Sequence, residues 1–379
     1  MHCANILWNS FGMNERILSR TPLETWATQA GAQFGHDFGW EMPIHYGNPA
    51  AENDHACHHA VLFDISHHGK VKVSGPDAAS FLHNLCTNEV KNLAAGAGCE
   101  AFLTTAQAKI VAFPVVYRTV GDGQSIFHLD TGPGMGETVF KHLDRYLISE
   151  QVELSDRTHD CAQMHLAGPQ AHSVLERALR NSFADLAELQ HTSQTLASVE
   201  CQLRRRQPLG LPGYDLVCEK ARAAAVWQAL LAAGAESAGL EAYHTLRIEA
   251  GTPLYGLDID DTNLPQEVGR VERTISFTKG CYIGQETVAR IRTYGHVNRS
   301  LTGLKWAGKT AVPPGAKLFH ADKEVGRITS SVISPRLGQA IALAYIRRGS
   351  NEPGTKLEVE TEGGRRSAEV VSLPFIAAA

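Results

Sequence analysis

The sequence predicts an α+β fold in which a split βαβ, ferredoxin-like unit is duplicated and followed by a C-terminal all-β barrel-like domain. Two observations carry this. "VKVSGPDAASFLHNLCTN" reads as a strand over Val71–Ser74, a tight turn and a helix from Pro76, where a missing N–H has no intrahelical partner to lose. "MHLAGPQAHSVLERAL" repeats that order, so that Gly168-Pro169 matches Gly75-Pro76. After Ile291 the pattern changes to "SLTGLKW", "AKLFHA", "EVGRITSSVI", "QAIALAYI" and "TKLEVETE". These are short strand-like runs divided by Gly, Pro, Asn and Asp turns, as in a small barrel or sandwich.

The remaining elements follow in order. Residues 1–20 read as an N-terminal lead, and the chain start before Met13 is open. "SIFHLDTG" ends a strand at Asp130, whose side chain can face a ligand or close the Gly-rich turn. Over Met135–Ile148, Val139, Phe140, Leu143, Tyr146 and Leu147 share one helical face. "YDLVCE" and "ARAAAVWQALLAAG" form a third strand–helix pair. "YHTLRIEAG" places Arg247 and Glu249 on a helix, followed by a polar loop carrying Asp258, Asp260 and Asp261. The EF-hand spacing is absent there. The domain boundary falls near Tyr294–Arg299, giving a main domain over 21–294 and a β-domain over 295–379.

Composition narrows the function. The 379 residues are 43% hydrophobic and 20% charged, with a net charge of −5, an ordinary globular profile with no electrostatic case for nucleic acid. The basic run Arg204–Arg206 reads as a solvated strand end, with attraction of an anionic ligand tail as the alternative. Eight scattered cysteines without a C-x-x-C pair fit a reduced cytoplasm better than a disulfide scaffold. No apolar run has membrane-spanning length. His55 and His59 share i, i+4 spacing but lack a recognisable ligand set, so no metal site is assigned.

"KGCYIGQETVARI" at Lys279–Ile291 asks most for chemistry. A loop with Gly280 and Gly284 enters a helix. The helix N-terminus and the ammonium of Lys279 both favour a thiolate at Cys281, making it the most reactive of the eight thiols. The alternative is a small buried cysteine in a Gly turn. Arg247 can clamp a carboxylate bidentately or pair with a nearby acid.

Together these stretches resemble the folate-binding aminomethyltransferase (glycine-cleavage T-protein) superfamily. The carriers are "RTPLETWATQAGAQFGHDFGWEMPIHYG", "LFDISHHGKVKVSGPDAASFLHNLCTNEV", "LRIEAGTPLYGLDI" and "ADKEVGRITSSVISPRLGQAIALAYI". The resemblance implies a three-subdomain cloverleaf around a central hole that binds tetrahydrofolate or a related reduced folate. It nominates Asp130, Tyr214, Arg247 and Glu249 for the folate, with Tyr214 against the pterin. "KGCYIGQE" resembles the signature of the YgfZ-type folate-binding proteins, whose cysteine is functional and which support iron–sulfur proteins. That implies Cys281 and Lys279 as reactive groups, with Gly280, Tyr282, Gly284, Gln285 and Glu286 as motif support. Two departures stand out. Where the family's aminomethyltransferases carry a paired aspartate, this chain reads "AKIVAFP", with Ala112 and Phe113. Where they carry a pterin-binding glutamate, "GLPGYDL" has Leu211. The reading is a tetrahydrofolate-binding YgfZ-type accessory protein for iron–sulfur assembly or repair, with iron–sulfur proteins as clients. The alternatives are a folate-dependent aminomethyl or methyl transferase or demethylase with an unidentified donor, and a module that holds folate without chemistry.

Overall fold

The computed structural model describes residues 19–377 except 122 and 184. The first eighteen residues of the lead, Cys3 among them, lie outside the described residues. Two sheets, each covered by helices on one face, stand beside a closed barrel. The first sheet has five strands in the order Glu153–Asp156, His68–Ser74, Gln124–Pro133, Val115–Gly121 and Gly98–Glu100. The second has six: His191–Leu196, Val199–Arg205, Gly213–Glu219, Cys161–Ala167, Val61–Asp64 and Glu236–Ala238.

Counted within each repeat, both sheets run second, third, fourth, first, fifth strand. Val61–Asp64 is inserted between the first and fifth strands of the second. Helices follow the first and fourth strands in each: Ala78–Leu85 and Gly136–Asp144, then Ala171–Leu179 and Ala223–Ala232. The matching Gly-Pro turns therefore mark a duplicated unit. The third strand–helix pair, Gly213–Glu219 with Ala223–Ala232, is the second half of the second repeat.

Gly75 and Gly168 have φ of +118° and +129°. A Cβ on either would stand 2.3 Å from a backbone oxygen, of Gln151 and His59 respectively, so glycine is required at both turns. The first helix begins at Ala78, not Pro76. The Asp77 carboxylate accepts a hydrogen bond from the Gln151 N–H at 2.8 Å, which holds the opening residues as a turn against the neighbouring segment.

Period-two alternation divides each sheet. Tyr214, Leu216 and Cys218 face the helices of the second unit with Ala162, Met164 and Leu166. Val71, Val73, Phe127 and Leu129 do the same in the first. The residues between them are polar: Lys70, His128 and Asp130 in one sheet, Gln163, His165, Arg204 and Asp215 in the other. Two polar faces thus meet where a sandwich would bury apolar side chains.

The barrel runs Arg299–Trp306, Gln339–Arg347, Lys323–Ser334, Lys317–His320, Lys356–Thr361 and Gly364–Val371 before closing. The structure resolves the barrel-or-sandwich alternative in favour of the barrel. Helix Leu240–Glu249 packs against it through Ile248, which joins Leu301, Val332, Ile341, Leu343 and Tyr345. No helix among the described residues is long and apolar enough to cross a membrane.

Candidate functional site

Where the two sheets meet, charges are buried together. Asp130 accepts from Gln163 Nε2 at 2.8 Å, Arg204 at 3.3 Å and Arg206 at 3.4 Å. The same Gln163 amide reaches Asp215 at 3.3 Å, and Asp215 pairs with His165 Nδ1 at 2.7 Å. Arg204 lies over the Tyr117 ring, 4.5 Å from its centre. Burial pushes the Asp130 carboxyl up, but the His68 hydrogen bond and the charges of Arg206 and Arg204 outweigh it and hold it well below its ordinary value. Lys70 donates to the Ser66 and His68 carbonyls at 3.0 and 2.7 Å, and burial brings its ammonium down to about 8.

This cluster corrects the reading of Arg204–Arg206 as a solvated end. Arg204 is 2% exposed, and alternation along the strand sends Arg204 and Arg206 inward while Arg205 covers the Tyr214 ring on the helix side. Gln163, Asp215 and Tyr117 were not singled out from sequence as site residues, and the arginines entered only as the alternative of attracting an anionic ligand tail. Their signal was polar residues at every second position of strands whose other positions are apolar.

Asp130 sits in the cluster, and the other three folate nominees do not. Tyr214 occupies the helix side of its strand, with its hydroxyl donating to Asp185 at 2.7 Å and lying 2.9 Å from His172 Nδ1. Its neighbour Asp215 is the residue that faces inward. Arg247 pairs with Asp258 and donates to Ser330 Oγ at 2.8 Å. Asp258 also receives the hydroxyls of Thr329 and Ser330, both at 2.6 Å, at a bulge in the barrel. Glu249 accepts from Ser334 Oγ and lies 3.4 Å from Arg336, and burial raises its carboxyl above the ordinary value. Both residues fasten the helix to the barrel, which is the structural alternative left open for Arg247.

The segment around Cys281 is pinned on both sides. Lys279 Nζ donates to the carbonyls of His83, Cys86 and Asn88, at 2.6 and 3.0 Å for the last two. It thereby satisfies orphan carbonyls at the end of helix Ala78–Leu85. Its ammonium is turned to this helix end, which corrects the expectation of a charge directed at the thiol. Beyond Cys281, the Ile283 N–H donates to the Asn84 carbonyl at 3.0 Å and the Ile283 carbonyl accepts from Thr104 Oγ1 at 2.6 Å. Gly284, at φ +86°, caps the helix Gln285–Tyr294, with Glu286 in its first turn. A Cβ on Gly284 would stand 2.7 Å from both Thr104 Oγ1 and the Thr105 carbonyl oxygen. Tyr282 is buried, and its hydroxyl is pushed up to about 12 by that burial. Gly280 and Cys281 are left exposed, which disposes of the buried-cysteine alternative. Among the described cysteines Cys281 alone is exposed.

Ala112 is buried, and Phe113 packs on Phe102 with ring centres 4.9 Å apart, so neither position offers a proton acceptor. His55 pairs with Glu236, and the described residues contain no cluster of three metal-ligating side chains.

Comparison with known proteins gives this arrangement its context. The family model described as GCVT N-terminal domain matches residues 23–279, and that described as Glycine cleavage T-protein C-terminal barrel domain matches 299–376. An aminomethyltransferase of Moorella thermoacetica is 33% identical over 362 residues, covering 94% of this chain and 98% of that protein. A probable aminomethyltransferase of Natronomonas pharaonis is 34% identical over 361 residues, covering 94% and 99%. The crystal structure of glycine cleavage system aminomethyltransferase T from Bartonella henselae superposes with a TM-score of 0.86 at 25% identity, covering 96% of this chain and 99% of that one. The duplicated units and the barrel are thus shared from end to end with these proteins, and the chain belongs to the glycine-cleavage T-protein family.

Proposed function

We propose that this protein is a folate-dependent transferase of one-carbon units, an aminomethyl or methyl transferase or a demethylase, with tetrahydrofolate as acceptor. Aminomethyltransferases of the T-protein family use tetrahydrofolate. The observation that carries the reading is the buried Asp130–Gln163–Asp215 bridge between the two repeats. Beside it, Gln163 Oε1, His165 Nε2 and the Tyr117 hydroxyl are buried without a hydrogen-bond partner. Such groups are costly unless something satisfies them. A pterin ring, which carries donors and acceptors around a flat edge, fits that need. Asp130, Asp215, Gln163, Arg206 and Tyr117 are the residues to hold it, and bound folate supplies the nucleophilic nitrogens that take up a one-carbon unit.

Ala112 and Phe113 argue against glycine cleavage as the activity. Loss of a positioned acid–base group typically removes a factor of about 10²–10⁴ in rate. Methylenetetrahydrofolate formation from an aminomethylated lipoyl carrier protein should therefore be at background. Robust turnover would overturn this part of the reading.

A second reading has its own observation. The exposed Cys281, in a segment resembling the YgfZ-type signature, suits an accessory protein that binds folate and supports iron–sulfur proteins. The two readings separate on one comparison: the accessory role makes Cys281→Ala inactive in support of an iron–sulfur enzyme while folate binding persists, whereas a transferase built on the central cluster tolerates that change.

A further inference from the structure

Two thiols face each other across the second sheet. Gln202 pairs with Val217 in the antiparallel ladder between strands Val199–Arg205 and Gly213–Glu219, so Cys201 stands opposite Cys218 one step farther on. Both side chains lie on the helix side with Leu203, Leu216 and Met164, only 1% and 4% exposed. The two thiols are hydrogen-bonded to each other, and Cys201 Sγ donates onward to the Val199 carbonyl at 3.6 Å. Directly opposed residues of an antiparallel pair have Cβ atoms about 4.5–5.5 Å apart, against about 3.5–4.5 Å in a disulfide. A small approach of the two strands therefore suffices to join the sulfurs. Cys161, on the adjoining strand Cys161–Ala167, does not compete. Ala162 is the residue opposite Cys218, and alternation turns Cys161 to the other face of the sheet.

We propose that Cys201 and Cys218 are a reversible modification site, closing to an intramolecular disulfide on exposure to an oxidised small-molecule disulfide. Cys201 gives its proton to water, and its sulfur attacks one sulfur of the small disulfide. That S–S bond breaks, a mixed disulfide forms on Cys201, and the departing thiolate takes up a proton. Cys218 then loses its proton and attacks the Cys201 sulfur, and the second small thiolate leaves and is protonated in turn. The cysteine pair is oxidised by two electrons, and the small disulfide is reduced to two thiols.

The order of attack follows from the contacts. The hydrogen bond with Cys218 lowers the Cys201 thiol from its ordinary value against the effect of burial, while the same bond, with burial behind it, raises Cys218. Access comes from the end of the ladder. Hydrogen-bonded pairing of the two strands starts at Gln202 and Val217, just inside the thiols. Strand Val199–Arg205 is joined to the edge strand His191–Leu196 through Ala197 and Ser198, at φ +50° and +61°. Neither residue is a glycine, so this turn is strained only two residues from Cys201. Fraying there uncovers the pair without opening the rest of the sheet. Arg204 and Asp215, opposite each other on the same two strands, face the other side. The site thus goes beyond the folate reading, and its failure leaves that reading intact.

The test incubates the full chain, without denaturant, in mixtures of oxidised and reduced glutathione. The reaction is quenched with acid, remaining thiols are alkylated after unfolding, and peptides are mapped by mass spectrometry. The exposed Cys281 should carry a glutathione adduct and serves as the internal control. A peptide pair joined through Cys201 and Cys218 should accumulate as the oxidised share of glutathione rises, and dithiothreitol should remove it. In Cys218→Ala the mixed disulfide should remain trapped on Cys201, whereas Cys201→Ala should leave Cys218 unmodified. A parent protein whose Cys281 carries the adduct while Cys201 and Cys218 stay free overturns the proposal. So does a link between Cys161 and Cys218, or a Cys201–Cys218 link that forms only in urea. If either variant does not fold, the peptide map of the parent decides.

Discussion

Asp130 is a carboxylate 3% exposed that stays ionised because two guanidiniums, an amide and an imidazole surround it. Replacing it with asparagine leaves Arg204 buried without its counter-charge and Arg206 with only the more distant Asp215, at 3.9 Å. We expect Asp130→Asn to lose about 3–5 kcal/mol at pH 7, read from urea denaturation. A loss under about 1 kcal/mol, the scale of a surface pair, would mean the cluster is wet and loosely held. Asp130 was legible as a polar residue beside a Gly-rich turn, although the strand does not end there and runs on through an irregularity to Pro133. Arg206 was not, because a run of three arginines looks like a surface feature until the partner strand sets which alternate positions face inward. Lys279 shows the same limit from the other side. Its place beside Cys281 is a fact of sequence, but the direction of its side chain is set by carbonyls of a helix almost two hundred residues earlier.

Among the elements, helix Leu240–Glu249 was legible, and its role was not. Its polar face suggested ligand contacts, yet Arg247 and Glu249 meet partners on barrel strand Lys323–Ser334 and the turn after it. The deciding signal is a bulge between Ile328 and Ser330, which brings both Thr329 and Ser330 hydroxyls to Asp258. No local pattern in the sequence announces it. Arg247→Leu should cost about 3–5 kcal/mol of stability by leaving Asp258 buried without its cation. Differential scanning calorimetry checks this. Unchanged stability with loss of folate affinity would restore Arg247 to the ligand. The repeat itself was legible because a positive-φ glycine followed by proline leaves the same mark at both turns.

At the scale of the whole molecule, the polar interior makes stability depend on pH. Burial holds His128 down at about 3, His244 at about 3 and His191 at about 4, with Arg204 adding to the first and Arg247 to the second. In the unfolded chain these rings protonate near 6.5. Between that value and their folded values the unfolded chain binds more protons, so stability is full above about pH 6.5 and falls as the solution is acidified. Asp130, depressed in the fold, adds a loss only below about pH 4. The urea midpoint should therefore drop between pH 7 and pH 5, before carboxylates titrate, and a flat profile there would contradict the buried neutral histidines. The central claim is that reduced folate binds at the Asp130–Asp215 cluster and not at the exposed Cys281. Isothermal titration calorimetry with tetrahydrofolate, on the parent and on Cys281→Ala, tests it most directly. The account predicts saturable binding with the same dissociation constant for both proteins. Absence of binding to the parent, or its loss in Cys281→Ala, would contradict it.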